Sequence, residues 1–200
     1  MNQLLLATRN SHKVSEIREI LHALPVALMS LVDYPEVPEV VEDGATFREN
    51  ALKKAKEVYR ATAVPTLADD SGLEVYALQM RPGVFSARFA GGHAQYEANN
   101  LKLLAEMRGL DGPNARRARF RCVMAFVNEE TEKVVDGICE GMIITVPRGE
   151  GGFGYDPLFV PRGFDQTFAE MPPQTKNRIS HRARALDEIR AFLEGYFRSI

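Results

Sequence analysis

The stretch PTLADDSGLEV, residues 65–75, sets an apolar run against two adjacent acids, Asp69 and Asp70. The apolar residues predict a buried strand that ends at the acids. Ser71 and Gly72 favour a turn, and the apolar residues after them predict a second short strand. Ligands usually bind at the carboxyl ends of strands in open α/β sheets. These residues alone leave two interpretations open: a solvated Asp-Ser-Gly turn, or a site that holds a cation.

The segments around this stretch alternate between strand and helix patterns, which predicts a mixed α/β fold. Ser11 is the expected N-cap of the first helix, and Thr46 with Glu49 has the capping-box spacing at the second. No linker separates independent domains, so we predict one domain, residues 1–200, with a central sheet, flanking helices and a β-rich insertion. The predicted elements are strands at 3–8, 26–31, 65–69 and 72–78, helices at 11–24, 46–63, 94–110 and 180–197, and an antiparallel hairpin at 118–128 and 133–146.

The overall composition excludes several classes of protein. A net charge of −2 gives no global attraction to nucleic acid or to an anionic membrane, and we expect neither partner. Cys122 and Cys139 lie in apolar runs without a zinc-ligand spacing, which predicts buried free thiols in a reducing compartment. The start of the chain lacks signal-peptide features, and no run approaches the ~20 apolar residues of a membrane span. We therefore expect a cytoplasmic protein.

The segment TRNSHK, Thr8–Lys13, occupies a predicted strand-to-helix turn. Such a turn can direct backbone N–H groups and a helix N-terminus at an anion. Asn10 adds donor and acceptor atoms, and Lys13 adds a positive charge that the helix dipole disfavours at this end. The segment lacks the P-loop pattern. It is therefore a candidate phosphate site, with a plain polar turn as the alternative.

The helix predicted at 46–63 carries two adjacent lysines. Glu49 and Lys53 stand four residues apart, which predicts an ion pair on a solvated face. Lys54 faces another direction, with Asn50 four residues before it, and it can point inward toward a polar site. The alternative is that both lysines lie on an exposed, solvated face of the helix.

Three carboxylates offer a hypothetical cation site. Asp69 and Asp70, if near Glu42, would suit Mg²⁺, a hard cation that takes oxygen ligands and keeps several waters. Successive strand residues point to opposite faces, so at most one of the two aspartates need face the metal. The other can orient the surrounding loops.

Two later segments combine glycine, aromatic and basic residues. In GEGGFGYDP, residues 149–157, the glycines allow close approach of a flat ligand, and Phe153 or Tyr155 offers a stacking face. Cations at the start of the last helix oppose its dipole, which favours a bound anion: these are Lys176, Arg178, His181 and Arg182. The alternative is a flexible loop with a solvated basic face. Together with the earlier clusters, these segments favour a nucleoside triphosphate site.

Four segments carry a resemblance to a known family: ADDSGLEV, PGVFSARFAG, GGFGYDPLF and ISHRARAL. With them the chain resembles, over nearly its whole length, the inosine triphosphate pyrophosphatase family, which removes deaminated purines from the nucleotide pool. The resemblance implies hydrolysis of ITP, dITP and XTP to the monophosphate and pyrophosphate, with Mg²⁺. It also implies a homodimer of elongated, two-lobed α/β subunits, with the active-site cleft between the lobes.

The resemblance also assigns roles to residues. For the metal it implies Glu42 and Asp70, with Asp70 as the proton acceptor for the attacking water and Lys54 neutralising phosphate charge. For the triphosphate it implies Thr8, Arg9, Asn10, Ser11, His12 and Lys13. For the rest of the substrate it implies Ser71, Phe153, Gly154, Tyr155, Asp156, Lys176, His181 and Arg182.

One departure and three alternatives accompany this assignment. The family commonly has glycine where this chain has Arg9, so Arg9 is either strained at a positive φ or supplies a phosphate contact. The chain could instead be a non-catalytic nucleotide sensor, although it retains both Glu42 and Asp70. It could also hydrolyse other modified nucleoside triphosphates. A nucleic-acid binder fits least, because its basic run at 115–121 is short.

Overall fold

The computed structural model describes residues 2–92, 95–112 and 114–199. Its helices are α1 (Ser11–Ile20), α2 (Phe47–Thr62), α3 (Tyr96–Glu106), α4 (Pro173–Ile179) and α5 (His181–Ser199). Its strands are β1 (Gln3–Leu6), β2 (Ala27–Ser30), β3 (Thr66–Val75), β4 (Arg81–Pro82), β5 (Arg117–Val127), β6 (Glu132–Ile143) and β7 (Phe159–Pro161). Within these residues the strands form one seven-stranded mixed sheet in the order β2-β1-β3-β5-β6-β7, with β4 paired to β3. The mixed α/β class predicted from the sequence is confirmed.

The first part of the chain forms a parallel βαβ unit. β1 pairs in parallel with β2 and with β3, and α1 connects β1 to β2. The apolar face of α1, which carries Val14, Ile17 and Ile20, is buried as its 3.6-residue spacing predicts. The loop that follows β1 and the start of α1 therefore lie at the carboxyl end of a parallel strand, where α/β sheets place their ligands.

β3 corrects the prediction for the opening stretch. It runs unbroken from Thr66 to Val75, so the predicted strand end at Asp69 and Asp70 is wrong, and of the two open interpretations the Asp-Ser-Gly turn is excluded. Gly72 is needed for close approach: a Cβ there would lie 2.3 Å from Ser86 Oγ. Ser86 Oγ also accepts a hydrogen bond from the Leu73 amide at 2.9 Å. Contacts with a distant segment thus override the local turn preference of Ser-Gly.

This close approach predicts the effect of Gly72→Ala. The new methyl would meet Ser86 Oγ at 2.3 Å and the Gly83 carbonyl at 2.6 Å, so backbone must shift. We expect a loss of about 1–3 kcal/mol in the free energy of unfolding, measured by urea denaturation. Gly195→Ala in α5 is the control, because its methyl meets nothing within 4 Å. If Gly72→Ala and Gly195→Ala had the same free energy of unfolding relative to the parent, the packing argument would be contradicted.

The chain divides into two compact units. Unit 1 comprises the described residues of 1–70, 122–137 and 182–200, and unit 2 comprises those of 71–121 and 138–181. Each unit has its own apolar core: α1 and α5 pack on sheet residues such as Phe126 in unit 1, whereas α3 and the Phe159 region form the core of unit 2.

Two predictions about the apolar parts of the chain can be compared with the structure. Cys122 and Cys139 are buried and free, as predicted. In the described ranges we find no helix of the length and apolarity that a membrane crossing requires.

Candidate active site

In unit 1, the turn between β1 and α1 is organised by Asn10. Its Oδ1 accepts hydrogen bonds from the amides of His12 at 3.0 Å and Lys13 at 3.2 Å, and its own amide donates to Thr8 Oγ1 at 3.1 Å. Asn10, and not the predicted Ser11, is therefore the N-cap of α1. Asparagine is a strong N-cap because its short side chain reaches the first free amides of the helix.

Arg9 is not held in a strained backbone conformation. Among the described residues, positive φ outside glycine occurs only at Ala63, Gln79 and Met80, which excludes the strain alternative. The Arg9 guanidinium instead donates to the Val37 carbonyl at 2.6 Å. Arg9 thus fastens the first turn to the loop that follows β2.

Asp69 is the centre of a buried ion network in unit 1. Its carboxylate lies 3.2 Å from Lys13 Nζ and 2.9 Å from Arg182 Nη2, and Arg182 Nη1 also donates to Glu16. Burial raises the pKa of Asp69, but the charges of Lys13 and Arg182 outweigh it and hold the pKa well below its usual range. Asp69 is therefore ionised and joins β3 to α1 and α5.

Asp70 has a different environment from its neighbour, because successive strand residues face opposite sides. Its carboxylate is buried and accepts a hydrogen bond from Asn50 Nδ2 at 3.0 Å. Burial raises the pKa of Asp70 to about 6; the charge of Glu42 adds to the rise, and that of Lys54 opposes it. A carboxyl with a pKa near neutrality suits a general base.

Lys54 and Glu42 form an ion pair beside Asp70. Lys54 Nζ donates to Glu42 Oε1, and the Lys54 side chain is buried as the sequence suggested. Burial would raise the pKa of Glu42, but Lys54 lowers it below the usual value. Lys53 contacts Asp43 at 2.6 Å, so the ion pair predicted between it and Glu49 is wrong.

The reason for that error lies in the first turn of α2. Glu49 Oε2 accepts the Ala45 amide at 2.7 Å, while the Glu49 amide donates to Thr46 Oγ1 at 3.1 Å. Glu49 therefore takes part in capping α2, and Lys53 pairs instead with Asp43 in the loop before the helix.

The donor set of unit 1 fits Mg²⁺. Among residues 2–92, 95–112 and 114–199, no three His, Cys, Asp or Glu side chains form a ready metal-binding group. Mg²⁺, however, is commonly held by one or two carboxylates and completes its shell with water and phosphate oxygens. Glu42 and Asp70 are hard oxygen donors, and the charge of Glu42 adds to the rise that burial causes in the pKa of Asp70. A bound cation would relieve the repulsion between the two carboxylates.

In unit 2, the loop around Phe153 is held by Asp156. Asp156 Oδ2 accepts the Phe153 amide at 2.8 Å and contacts Lys176 Nζ at 2.6 Å. Gly152 has a φ of 71°, and a Cβ there would lie 2.1 Å from Asp156 Oδ2, so no other residue fits. Lys176 Nζ also lies 4.9 Å from the centre of the Phe153 ring. The result is an ordered loop with an aromatic ring and a buried ammonium side by side.

α3 supports the same loop. Asn100 Nδ2 donates to the Gly154 carbonyl at 3.0 Å, and the rings of Tyr96 and Phe153 lie 6.1 Å apart. Tyr155 turns inward and donates its hydroxyl to the Ser86 carbonyl at 2.9 Å, and burial raises its pKa. Of the two predicted stacking rings, Tyr155 is therefore a core residue.

The basic segment near the C-terminus differs from its prediction. Lys176 and Arg178 belong to a separate helix, α4, and only His181 and Arg182 begin α5. His181 is buried in unit 2 and stacks on Phe120, with ring centres 4.7 Å apart and planes inclined by 11°. Lys176 and Arg178 therefore do not belong to the start of the last helix, where the sequence placed them.

The structure brings the predicted site residues together in two groups. Unit 1 holds Asp70 and the segment Thr8–Lys13 with Glu42, Lys54 and Arg182; unit 2 holds Phe153–Asp156 with Ser71, Lys176 and His181. Sequence reasoning missed the partners that hold these residues, namely Asn50, Glu16, Asn100, Tyr96 and Phe120. Of these, only Asn50 could have been found from the sequence, because it precedes Lys54 by one turn of the predicted helix and so lies on the same face.

Comparison with known proteins gives consistent matches. A Geobacter sulfurreducens protein named dITP/XTP pyrophosphatase is 50% identical over 187 residues, covering 93% of this chain and 94% of its own. A Lactiplantibacillus plantarum protein of the same name is 47% identical over 188 residues, covering 93% and 92%. Among solved structures, a HAM1 protein from Coxiella burnetii superposes with a TM-score of 0.87 at 40% identity, covering 96% of this chain and 98% of its own.

A second solved structure carries an enzyme name. The dITP/XTP pyrophosphatase of Mycobacterium abscessus is 45% identical, with a TM-score of 0.76, covering 94% of this chain and 98% of its own. The sequence model of the Ham1 family matches residues 4–192, which is nearly the whole chain. Because the family model, the curated relatives and the solved structures agree, this chain belongs to the Ham1 family.

Proposed function

We propose that this chain is a pyrophosphatase that hydrolyses ITP, dITP and XTP to the monophosphate and pyrophosphate. The observation that carries the proposal is the buried carboxyl of Asp70, which accepts from Asn50 Nδ2 at 3.0 Å and lies beside the ion pair of Lys54 and Glu42. The names of relatives that are 45–50% identical support the same activity. Removal of such nucleotides would keep deaminated purines out of the nucleotide pool.

The residues of unit 1 supply the hydrolytic chemistry. Ionised Asp70 accepts the proton of the water that attacks phosphorus, and the bond between the α- and β-phosphates breaks. Lys54, whose pKa is raised by Glu42, Asp69 and Asp70 against the opposing effect of burial, stays protonated and neutralises phosphate charge. Thr8–Lys13 holds the triphosphate at the positive end of α1, and Lys13, which pairs with Asp69 at 3.2 Å, adds positive charge at this end of the helix.

Mg²⁺ is the cofactor that we propose for this reaction. Glu42 and Asp70 would hold it, for the reasons of donor chemistry given above. When bound, Mg²⁺ neutralises the charge of phosphate oxygens and orients them. The residues of the chain then position the substrate and accept the proton.

Unit 2 supplies base recognition. Phe153 stacks on the purine, and Asp156 keeps the Phe153 loop and the Lys176 ammonium in place. Hypoxanthine and xanthine carry a 6-oxo group that accepts hydrogen bonds, whereas adenine carries an amine that donates. Donors such as Lys176 and His181 would face a donor in ATP, and unpaired polar groups reduce its binding.

The test is pyrophosphate release from ITP, XTP, dITP, GTP and ATP, each with Mg²⁺ and with EDTA. We expect Mg²⁺-dependent release from ITP, dITP and XTP at least about a hundredfold above ATP. ITP that binds without being cleaved would support a nucleotide sensor instead. Sedimentation of the same preparation tests the homodimer, which stays a prediction.

Phe153 provides a separate prediction about the base. We expect Phe153→Ala to raise KM for ITP by about 5- to 150-fold, because base–aromatic stacking contributes about 1–3 kcal/mol. The fold should persist, since the Phe153 ring is only half-buried. Phe164→Ala is the control, as that ring is exposed and lies outside the site. Equal KM values for the two variants would exclude Phe153 from stacking.

A further inference from the structure

A single buried amide lies between Asp70 and the loop that carries Glu42. Asn50, in the first turn of α2, has only 1% of its surface exposed. Its Nδ2 donates to Asp70 Oδ2 at 3.0 Å, and its Oδ1 accepts the Gly44 amide at 2.7 Å. One side chain thus joins β3 to the segment that follows Glu42.

The orientation of this amide follows from its partners. A backbone N–H can only donate, so the Gly44 amide must face the oxygen of Asn50. The NH₂ group then faces the carboxylate of Asp70. No other side chain of this length both donates and accepts without adding charge: aspartate would place a third acid beside Glu42 and Asp70, and leucine would remove both hydrogen bonds.

We propose that Asn50 is a positioning residue for the hydrolysis, acting through the carboxylate of Asp70. This inference rests on the proposed function. The terminal torsion of an aspartate is broad and roughly twofold, so packing alone does not set the carboxylate plane. A hydrogen bond from a buried amide sets that plane, and with it the direction in which Asp70 accepts a proton.

The Gly44 contact extends this role to the acid pair. Gly44 follows Glu42 by two residues, and its amide is held by the same side chain that holds Asp70. Asn50 therefore fixes the position of Asp70 relative to the backbone segment that carries Glu42. Gly44 also packs directly on Asn50: a Cβ at Gly44 would lie 2.7 Å from Asn50 Oδ1 and 2.8 Å from Glu49 Cβ.

This packing gives two ways to disturb the amide. Asn50→Asp keeps the acceptor for the Gly44 amide, but it removes the donor to Asp70 and also adds a negative charge beside Asp70 and Glu42. A second variant that adds no charge separates these two effects. Gly44→Ala leaves the Asn50 side chain unchanged, but the added methyl group would displace it from its present position. Thr46→Ala is the matched control, because it removes the N-cap of the same helix, at 3.1 Å from the Glu49 amide, without touching Asp70.

The experiment measures kcat and KM for ITP at saturating Mg²⁺, together with urea unfolding, for the parent and the three variants. We expect kcat to fall about 10- to 100-fold in Asn50→Asp, and less in Gly44→Ala, because small misplacements of a catalytic group have effects of this size. KM should stay within about threefold of the parent, since the Asn50 side chain bonds to Asp70 and to the Gly44 amide and is itself 1% exposed. Thr46→Ala should unfold at lower urea with an unchanged kcat.

Two results would overturn the inference. One is a kcat within twofold of the parent in a folded Asn50→Asp variant. The other is a kcat loss in Thr46→Ala that matches the loss in Asn50→Asp, which would make the effect one of helix stability. Failure of the proposed function is seen separately, because the parent itself would then release no pyrophosphate from ITP.

Discussion

Replacing Asp70 with asparagine is expected to lower kcat for ITP by about a hundredfold to ten-thousandfold, the usual contribution of a general base. Asparagine keeps the shape and an oxygen that can accept from Asn50 Nδ2, at 3.0 Å in the parent, but it cannot accept the proton of water. Steady-state kinetics at saturating ITP and Mg²⁺ measures the effect.

The fold should survive this change. Burial and the charge of Glu42 make the ionised form of Asp70 unfavourable, as its raised pKa shows, so a neutral side chain removes a destabilising charge. We expect the metal-free variant to melt at or above the temperature of the parent. Asp43→Asn is the control: Asp43 is an exposed acid paired with Lys53, and its loss should leave kcat unchanged. Near-normal turnover in Asp70→Asn would remove Asp70 from the role of base.

Arg182→Met is expected to have the largest effect on stability. The Arg182 guanidinium is fully buried between Glu16 and Asp69, both in unit 1. Methionine fills a similar volume but leaves both carboxylates without this partner. Breaking a buried ion pair from one side typically lowers the free energy of unfolding by about 3–5 kcal/mol. Urea denaturation at neutral pH measures the loss.

Arg198→Met in the same helix is the matched control. Its guanidinium is 75% exposed and pairs with Glu194 at 3.4 Å, so its loss should change stability by less than about 1 kcal/mol. A similarly small change in Arg182→Met would mean that Lys13 alone compensates Asp69. The resemblance assigned Arg182 to substrate binding, and a loss of stability in the absence of nucleotide would show a structural role that is independent of substrate.

Local patterns were predicted well where the chain could satisfy its hydrogen bonds within a few residues. The helix at 46–63 was predicted from Thr46 and Glu49, and the structure has α2 capped by Thr46 Oγ1. The N-cap of α1 was misplaced by one residue, because Asn10 and Ser11 are both good caps and the backbone of Asn10 is the extended one. The separate helix α4 was missed because it is seven residues long and lies next to a longer one.

The two acids of the opening stretch show where sequence reasoning stops. The sequence marked Asp69 and Asp70 as unusual but could not show that they lie within a strand. Ser86, in a short 3₁₀ helix at Gly83–Arg88, packs on Gly72 and accepts a hydrogen bond from the Leu73 amide within the strand. The sequence also could not show which of the two acids is held in an ion pair, because that depends on Arg182, which is 113 positions away from Asp69.

By itself the sequence determined the fold class, the family and the set of chemical groups, because hydrophobic periodicity and motif order are local properties of the chain. Only the tertiary structure decided which acid is held ionised by buried cations and which has its pKa raised to about 6. It also decided that Asn50 donates to Asp70 and that Lys54, and not Lys53, reaches Glu42. The physical reason is that burial and the charge of distant neighbours set the protonation of a carboxyl, and neither is encoded by the residues beside it.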